Sequence, residues 1–292
     1  MPKFKNVGII GRYRSEKIVE TVQSLVDFLV RQKINVSIEQ ETAEQISTAK
    51  LPIFNKDDIA QKCDLLIVVG GDGSMLGAAK VASEHHVPVL GINRGTLGFL
   101  TDIPPDDFEK QVLEVLSGQY YEEPRFLLKA EFIKNDKVIY SDTALNDIVL
   151  MPGAIPHMIE FETFINNKFM CKQRADGLIV ATPTGSTAYA LSGGGPILYP
   201  SLDAMVMVPM FPHKLSSRPI VIKGDSEISI VISPKTESAP KISCDGEERV
   251  TLEEGCSLRI SKSDYKLKLL HPCEHDYFET LRNKLGWEES KV

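Results

Sequence analysis

The sequence predicts an α/β domain with a parallel β-sheet, followed by a mainly antiparallel β domain. Over the first ~120 residues, apolar strand-like runs alternate with amphipathic helical patterns, which is typical of a parallel sheet covered by helices on both faces. Beyond this region, the strand-like segments are short and alternate apolar with polar residues. Turn residues such as Asn135-Asp136 and Asn166-Asn167 separate many of them, which is typical of antiparallel sheets.

Composition narrows the class of protein. The chain has 292 residues, of which 42% are hydrophobic and 25% charged, which is typical of a folded protein with room for two domains. A formal net charge of −7 argues against nucleic-acid binding, and no apolar run is long enough to span a membrane. The five cysteines show no C-x-x-C spacing and no signal peptide precedes them, so we expect free thiols and a cytoplasmic location.

Each element of the first domain has its own signal. Four buried strands are predicted from apolar, mostly β-branched runs, and three helices from apolar residues at 3–4 spacing. The third helix carries a proline at its start and a glycine just past its end. The predicted strands are Asn6–Ile10, Val36–Glu39, Asp64–Val69 and Val87–Gly91, and the predicted helices are Glu16–Gln32, Ser74–Glu84 and Pro104–Leu116.

The pattern changes near Tyr120–Pro124, where the second domain is predicted to begin. Its last strands are predicted at Ser257–Ile260 and Tyr265–Leu270. A final helix is predicted over Asp276–Leu285, with Gly286 as its C′ residue. The spacing of its large apolar residues predicts that one face is buried, and that face comprises Tyr277, Phe278, Leu281 and Leu285.

The most informative stretch is Val68-Val69-Gly70-Gly71-Asp72-Gly73-Ser74, where an apolar run ends at glycines and a helical pattern begins. Backbone N–H groups at a helix start bind anions, and glycines let a phosphate approach. The carboxylate of Asp72 would repel phosphate, so it is better explained as a group that binds a hydroxyl, takes a proton or helps to hold a metal ion. The alternative is an ordinary strand–helix turn with Asp72 as the N-cap. The dinucleotide fingerprint G-x-G-x-x-G and the P-loop motif are both absent.

Three other segments carry candidate chemistry. In Asn93-Arg94-Gly95-Thr96-Leu97-Gly98-Phe99, the arginine could pair with a phosphate, and Phe99 could stack on a base or pack in the core. The adjacent Asn146 and Asp147 interrupt an apolar run, either as a turn or as contacts for ribose hydroxyls. The run Arg174–Pro196 is rich in glycine and small hydroxyl residues, which suits close contact with a polar ligand.

Together with Pro209-x-x-Pro212-His213, Arg218-Pro219 and Cys244-Asp245-Gly246, these segments resemble the NAD kinase family over nearly the whole chain. Gly-Gly-Asp-Gly also occurs in diacylglycerol and sphingosine kinases, but the run Thr182–Tyr189 makes the match specific. The resemblance implies a Rossmann-like domain of the phosphofructokinase-like superfamily and an all-β sandwich. The implied bounds are residues 1–123, with a helix 276–292 packing back on them, and residues 124–275.

The resemblance also implies residue roles. Asp72 would be the catalytic carboxylate that activates the 2′-hydroxyl of the adenosine ribose of NAD, and Gly73 would touch the dinucleotide. Asn146 and Asp147 match an Asn-Glu pair that holds nicotinamide-side ribose hydroxyls, with Asp147 shorter than the common Glu. Three residues match family positions that contact the ligand, partly from a neighbouring subunit: His157, Arg174 and Asp176. The remaining predicted substrate-binding residues are Phe99, the adenine-side loop Thr187, Ala188, Tyr189, Ala190, Leu191 and Ser192, and Glu247, which stands where Gln is usual.

The implied activity is ATP-dependent phosphorylation of NAD to NADP by a homodimer or homotetramer, with Mg²⁺ entering on ATP. Two other functions remain open. A lipid kinase of the same superfamily would need an apolar pocket and usually a membrane-binding surface, and a dinucleotide sensor would lack catalysis. Turnover of NAD with ATP separates the three.

Overall fold

The computed structural model describes residues 2–11, 16–44, 46, 51–95, 98–153, 157–234, 236, 239–253 and 255–287. Thr96 and Leu97 of the Asn93–Phe99 motif lie outside these residues. The chain forms two compact units: the first comprises Met1–Pro124 with Lys266–Val292, and the second comprises Arg125–Tyr265. The sequence-based division lies at residues 123/124 and 275/276.

The first unit is built on a parallel sheet, as predicted. Its strand order is β3–β2–β1–β4–β5–β17, and each neighbouring pair runs parallel. All six residues of β4 are buried, because helices cover both faces of the sheet. The strands are β1 Asn6–Gly11, β2 Asn35–Glu39, β3 Ile53–Phe54, β4 Leu65–Gly70, β5 Val89–Asn93 and β17 Cys256–His271.

The helices of the first unit follow the apolar patterns of the sequence. Helix α1 buries Ile18, Val22, Leu25 and Leu29, the face that the 3–4 spacing predicts. Helix α5 starts at Phe108, four residues later than predicted, and ends at Ser117. The residue that follows is Gly118, whose φ of 95° favours glycine. The helices are α1 Glu16–Arg31, α2 Gln40–Ala43, α3 Lys56–Lys62, α4 Asp72–Glu84, α5 Phe108–Ser117 and α7 Tyr277–Leu285.

Strand β17 corrects the sequence-based interpretation. The two predicted strands Ser257–Ile260 and Tyr265–Leu270 are one continuous strand, Cys256–His271. Near its end, Leu269 and Leu270 pair in parallel with Val89 and Leu90 of β5. The first unit therefore takes the last strand of its parallel sheet from a distant part of the chain.

The final helix, α7, starts one residue later than predicted. Asp276 is its N-cap and accepts a hydrogen bond from the N–H of Phe278 at 2.8 Å. Leu281 is buried, but Phe278 is 55% exposed and so does not share the buried face predicted for it. Within the first unit, the ring of Tyr277 lies 6.5 Å from the ring of Phe99, measured between centroids. Among the described residues, none of the helices is long and apolar enough to cross a bilayer.

The second unit contains antiparallel strands. One set pairs in the order β10–β9–β14–β17, a second forms the sheet β13–β12–β11–β8–β15–β16, and β6 pairs with β7. Its strands are β6 Tyr121–Lys134, β7 Lys137–Ala144, β8 Asp147–Met151, β9 Ile159–Ile165, β10 Lys168–Ala175, β11 Gly177–Ala181, β12 Ala204–Met210, β13 Ile220–Lys223, β14 Ile228–Ile232, β15 Lys241–Cys244 and β16 Glu247–Thr251; a 3₁₀ turn, Gly185–Thr187, and a short helix, α6 Tyr189–Ser192, lie between β11 and β12.

The central strands of the six-stranded sheet are buried on both faces. In β11, Leu178 and Val180 join one apolar core with Phe132 and Phe161. The alternate residues of β11, β8 and β12 join a second core with Ala190 and Leu198 of the chain that follows β11. Because side chains alternate between the faces of a strand, one core lies between the sheets of a sandwich and the other lies under the covering segment 182–200.

Candidate active site

The turn between β4 and α4 sets the position of Asp72. Gly70 has a φ of 154°, and a Cβ there would overlap the side chain of Ser74, so only glycine suits this place. The N-cap of α4 is Gly71, and Asp72 is the first residue of the helix. The interpretation of Asp72 as an N-cap is therefore wrong, and its carboxylate has another structural role.

That role is to accept two backbone hydrogen bonds from the loop after β5. The Asp72 Oδ2 atom accepts from the N–H of Phe99 at 2.9 Å, and Oδ1 accepts from the N–H of Leu100 at 3.0 Å. A Cβ on Gly98 would overlap Asp72 Oδ1, so a glycine is needed for this approach. Each carboxylate oxygen has a second lone pair, so the group can still accept a proton or bind a hydroxyl.

The loop that donates these bonds is itself held firmly. The buried Asn93 donates from Nδ2 to the hydroxyl oxygen of Thr101 at 3.0 Å and accepts on Oδ1 from the N–H of Gly95 at 3.0 Å. The N–H of Arg94 donates to the carbonyl of Gly70 at 2.9 Å. Its guanidinium donates to the hydroxyl of Thr21 in α1, so this arginine ties the loop to a helix. The Asp72 carboxylate therefore sits in a fixed frame.

A second carboxylate organises the predicted ribose-binding pair in the second unit. The Asp245 carboxylate accepts from the backbone N–H groups of Leu145 at 2.8 Å, Asn146 at 2.7 Å and Asp147 at 3.3 Å. Asp245 and Gly246 have φ of 51° and 78°, the two-residue turn that an Asp-Gly pair favours. Sequence reasoning missed this role of Asp245, although the Asp-Gly signal between β15 and β16 could have located the turn.

The buried Asp147 carboxyl has an unusual protonation state. Burial raises the pKa of Asp147 to about 7, and the nearby Asp245 carboxylate adds to the effect. Burial also raises the pKa of Asp245 to about 6, against the opposing effect of the three N–H donors. Near neutral pH, Asp147 can therefore carry a proton and act as donor as well as acceptor.

The residues that follow β11 form hydrogen bonds with the bend between β7 and β8. The hydroxyl of Thr182 donates to the carbonyl of Leu145 at 2.6 Å, and its N–H donates to the carbonyl of Asn146 at 2.9 Å. A Cβ on Gly185 would overlap that same Asn146 carbonyl. Asn146 itself lies at the bend between β7 and β8, as the turn interpretation predicts, and its side chain is half-buried.

The predicted adenine-side loop spans the 3₁₀ turn and α6. Tyr189 is 49% exposed and Ser192 is exposed, whereas Ala190 is fully buried in the second core. A Cβ on Gly195 would come within 2.8 Å of Val208, so this glycine lets the loop pack closely on β12. The side chains of the other predicted loop residues are half-buried, namely Thr187, Ala188 and Leu191.

The remaining predicted binding residues lie outside the Asp72 and Asp245 contacts and outside the adenine-side loop. Arg174, at the end of β10, is exposed and lines a surface cavity with Lys214 and Arg218. Asp176 is half-buried, and its N–H donates to the carbonyl of Met210 at 2.9 Å. Two more predicted residues of the second unit are exposed: His157, before β9, and Glu247, the first residue of β16. In the first unit, Gly73 is exposed in the first turn of α4, and a Cβ added there would have no atom within 4 Å.

Family models match most of the chain. A model for the ATP-NAD kinase N-terminal domain matches residues 7–120, and one for the ATP-NAD kinase C-terminal domain matches residues 145–272. This chain belongs to the ATP-NAD kinase family. The NAD kinase of Ectopseudomonas mendocina (strain ymp) is 54% identical over 287 residues, covering 98% of this chain and 97% of that protein. The NAD kinase of Pseudomonas aeruginosa (strain LESB58) is 53% identical with the same coverage. The predicted family and NAD kinase function are confirmed.

Solved structures agree with this assignment. The crystal structure of yeast NADH kinase complexed with NADH matches with a TM-score of 0.90 and 29% identity, covering 100% of this chain and 90% of that one. An NAD kinase from Archaeoglobus fulgidus in complex with ATP matches with a TM-score of 0.72 and 22% identity, covering 97% of this chain and 100% of that one. The second match concerns the fold alone. The predicted fold class, a Rossmann-like α/β domain with a parallel sheet and an all-β sandwich domain, is confirmed.

We predict that Gly98→Ala lowers NAD kinase activity while leaving the chain folded. The added methyl group overlaps Asp72 Oδ1, so the loop must move and the N–H donors of Phe99 and Leu100 shift with it. A shift of about 1 Å near the reacting atoms can cost roughly 10²-fold in rate. The measurement is kcat for NADP formation. Gly77→Ala is the matched control, because Gly77 is exposed on α4 with no atom within 4 Å of its Cβ position. A Gly98→Ala rate equal to that of the control contradicts the prediction.

The raised pKa of Asp147 predicts a pH-dependent loss of stability. The pKa of Asp147 in the folded chain, about 7, lies above its ordinary value of 3.8. The contribution of this group to the free energy of unfolding therefore falls as pH rises between these two values and no longer changes above about pH 7. Asp147→Asn cannot ionise, so it should lose less stability over this range. We expect the melting temperature of the variant relative to wild type to rise by several degrees between pH 4 and pH 8, measured by calorimetry. The exposed Asp264→Asn should show no such trend. Parallel pH curves for wild type and Asp147→Asn would contradict the assignment.

Proposed function

We propose that this chain transfers the γ-phosphate of ATP to the 2′-hydroxyl of the adenosine ribose of NAD, with Asp72 as the general base. The observation that carries this proposal is the pair of N–H groups, from Phe99 and Leu100, that hold the Asp72 carboxylate at the start of α4. A ribose hydroxyl is a poor nucleophile until a group accepts its proton. A fixed carboxylate with lone pairs available meets this need.

The same turn suits the phosphates of the donor. Backbone N–H groups at the start of α4 favour anions, and the turn before it consists of Gly70 and Gly71. Phosphoryl transfer depends mainly on positioning and on stabilising the charge of the transferring group. We therefore assign phosphate binding to backbone groups of this turn and proton transfer to Asp72. We propose that the transfer is in line, as is usual for phosphoryl transfer.

Recognition of the acceptor is assigned to the second unit. Asn146 and Asp147 would hold the nicotinamide-side ribose hydroxyls, with their backbone fixed by Asp245. Asp147 can form a hydrogen bond with a hydroxyl whether its carboxyl is protonated or ionised. In the first unit, Phe99 is half-buried with the ammonium of Lys284 at 5.8 Å from its ring centroid, and its exposed part would contact the dinucleotide.

The adenine side is assigned to the loop at 187–192. Its aromatic residue, Tyr189, presents a ring that is 49% exposed, which suits stacking on a base. Ala190 would contribute through its backbone, because its methyl group is buried. The other assigned contacts are Gly73, Thr187, Ala188, Leu191, Ser192, His157, Arg174, Asp176 and Glu247.

The divalent cation is proposed to be Mg²⁺ and to enter as part of the ATP substrate. Among the described residues, Asp72 belongs to no group of three possible metal ligands. Mg²⁺ usually binds through one or two carboxylates together with substrate phosphates, and it keeps several waters. The residues around Asp72 fit a cation that the phosphates supply better than one that the protein holds permanently.

The compartment and the assembly complete the proposal. All five cysteines are free, including the buried Cys63 and Cys244, which supports a reducing cytoplasm. A homodimer or homotetramer is supported by large apolar side chains on the surface of the second unit, where Phe211 is 79% and Leu215 is 93% exposed. Arg174 would then reach the site of a neighbouring subunit.

A mixed oligomer tests this assembly. Asp72→Asn and Arg174→Ala should each be nearly inactive alone. If a site takes Asp72 from one subunit and Arg174 from another, co-expression in equal amounts restores one site in each mixed dimer. We expect roughly a quarter of wild-type NADP formation in a statistical mixture of dimers. Activity no higher than the sum of the separate variants, in confirmed mixed dimers, would show that the two residues act within one subunit.

The role of Asp72 is tested with Asp72→Asn. The amide oxygen can still accept one of the two N–H bonds, so we expect the fold and much of the NAD affinity to persist. Removal of a general base usually costs roughly 10²–10⁴-fold in kcat. NAD binding by calorimetry is compared with NADP formation, and Gly77→Ala again serves as a control. Turnover within about threefold of wild type, far short of that cost, rules out the catalytic role. Loss of NAD binding together with turnover would make Asp72 a ligand contact first.

A further inference from the structure

A buried carboxylate ends the loop that donates two N–H groups to Asp72. This loop, residues 98–102, is called the donor loop below, and its last residue is Asp102, whose side chain is 9% exposed. The Oδ2 atom of Asp102 accepts a hydrogen bond from Nδ1 of His271 at 2.8 Å. The Nδ1 atom of His275 lies 2.7 Å from the same oxygen. Asp102 therefore connects the donor loop to the C-terminal segment of the first unit.

The contact between Asp102 and the histidines is a buried ionic one. Burial alone would raise the pKa of Asp102, but His271 and His275 outweigh it and lower the pKa to about 2, so the carboxylate is ionised. Burial alone would lower the pKa of His271, but the carboxylates of Asp102 and Glu123 outweigh it and raise the pKa. Asp102 Oδ1 is buried and has no hydrogen-bond partner among the described residues, so the stabilising contacts are those of Oδ2. Removal of one partner from such a pair leaves a buried charge uncompensated.

The two histidines join the donor loop to the end of β17 and the start of α7. Their rings are stacked, with centroids 3.9 Å apart and planes 17° from parallel. His271 is the last residue of β17, which pairs with β5 through Leu269 and Leu270. His275 directly precedes Asp276, the N-cap of α7. One carboxylate thus holds a strand of the sheet and the start of a helix against the donor loop.

The same C-terminal segment contacts the donor loop at a second point. The ring of Tyr277, the first residue of α7, lies 6.5 Å from the ring of Phe99. The ammonium of Lys284, near the end of α7, lies 5.8 Å from the centroid of the Phe99 ring. The N–H donors of Phe99 and Leu100 therefore belong to a stretch of chain that α7 contacts at Phe99 and the histidines hold at Asp102.

Hydrogen bonds within the donor loop link the position of Asp102 to the two N–H donors. The preceding residue, Thr101, is fully buried, and its carbonyl accepts from the N–H of Gly98 at 3.3 Å. The Nδ2 atom of Asn93 donates to the carbonyl of Thr101 at 3.2 Å and to its hydroxyl at 3.0 Å. A displacement of Asp102 would move Thr101 and, through it, the backbone that donates to Asp72.

We propose that Asp102, His271 and His275 are positioning residues for phosphoryl transfer and act by fixing the donor loop that directs the Asp72 carboxylate. This inference rests on the proposed function, in which Asp72 is the general base. A general base must lie within hydrogen-bond reach of the proton that it takes, and a misplacement of about 1 Å can cost roughly 10²-fold in rate. The C-terminal segment of the first unit thereby contributes to the rate of transfer as well as to the folded core.

A double-mutant cycle on the full chain tests this inference. The proteins are wild type, Asp102→Ala, Asp72→Asn and the double variant, and kcat for NADP formation is measured at saturating NAD and ATP. Asp102→Ala should lower kcat by at least about tenfold. The same change should lower the residual kcat of Asp72→Asn by less than about threefold, because the carboxylate that the donor loop directs is already absent. A residue that only stabilises the fold would not show this dependence on Asp72.

Two further variants separate positioning from a general loss of stability. Asp102→Asn keeps an oxygen that can accept the N–H of His271, so its kcat should stay within about threefold of wild type. Val36→Ala is the matched control, because it removes buried methyl groups from β2, which β1 and β4 separate from β5. It should lower the melting temperature and leave kcat unchanged. If Asp102→Ala does not fold, His275→Ala takes its place in the cycle with the same expected pattern, since the His275 side chain is 11% exposed.

Two results would overturn the positioning role while Asp72→Asn is nearly inactive. One is a kcat of Asp102→Ala, or of His275→Ala in its place, within about threefold of that of Val36→Ala. The other is an equal loss of kcat from this change in the presence and in the absence of the Asp72 carboxylate. Failure of the proposed function gives a different result, in which Asp72→Asn alone keeps nearly wild-type turnover, and that result overturns both proposals.

Discussion

The two hydrogen bonds from the N–H groups of Phe99 and Leu100 to the Asp72 carboxylate are the contact on which the proposed chemistry depends. A carboxylate on an exposed helix start would rotate freely and repel phosphate. Two fixed donors direct it and partly offset its charge, so the remaining lone pairs point in one direction. Several other features follow from this contact, including the need for Gly98 and the anchoring of the loop by Asn93.

The second unit also contains a carboxylate that accepts backbone N–H hydrogen bonds, but here it is two of the N–H donors, not the carboxylate, that belong to the proposed binding residues. Asp245 gathers three successive N–H groups and so fixes the backbone of Asn146 and Asp147. In both units a carboxylate bonded to backbone N–H groups joins segments that are distant in sequence. The consequence in the second unit is an Asp147 carboxyl buried beside another carboxylate, with its pKa raised to about 7. The pair to which we assign hydroxyl binding is thus held rigidly, at the cost of burying one carboxyl group beside another.

Local patterns in the sequence predict the longer strands and helices of the first unit but miss β3, α2 and α3. An apolar run such as β4 or a periodic apolar face such as that of α1 shows directly which residues are buried, whereas the missed elements are short and the two missed helices are mostly polar. Contacts between distant residues leave no such mark. The N–H donors of Asp72 lie 27 and 28 residues away along the chain, and the Leu145 donor of Asp245 lies 100 residues away. Local patterns divide strand β17 in two for a related reason, since its pairing with β5 depends on residues far away. The motifs locate the candidate site, but only the fold identifies what holds it.

The most direct test of the proposed chemistry is a crystal structure of this chain with NAD and a non-hydrolysable ATP analogue. The distance to measure joins the Asp72 carboxylate to the 2′-oxygen of the adenosine ribose. We predict a separation of about 2.6–3.2 Å, the range of a hydrogen bond to a general base, with the N–H bonds of Phe99 and Leu100 still in place. A 2′-oxygen bound to a different side chain, with Asp72 beyond hydrogen-bond reach and no bridging water, would contradict it.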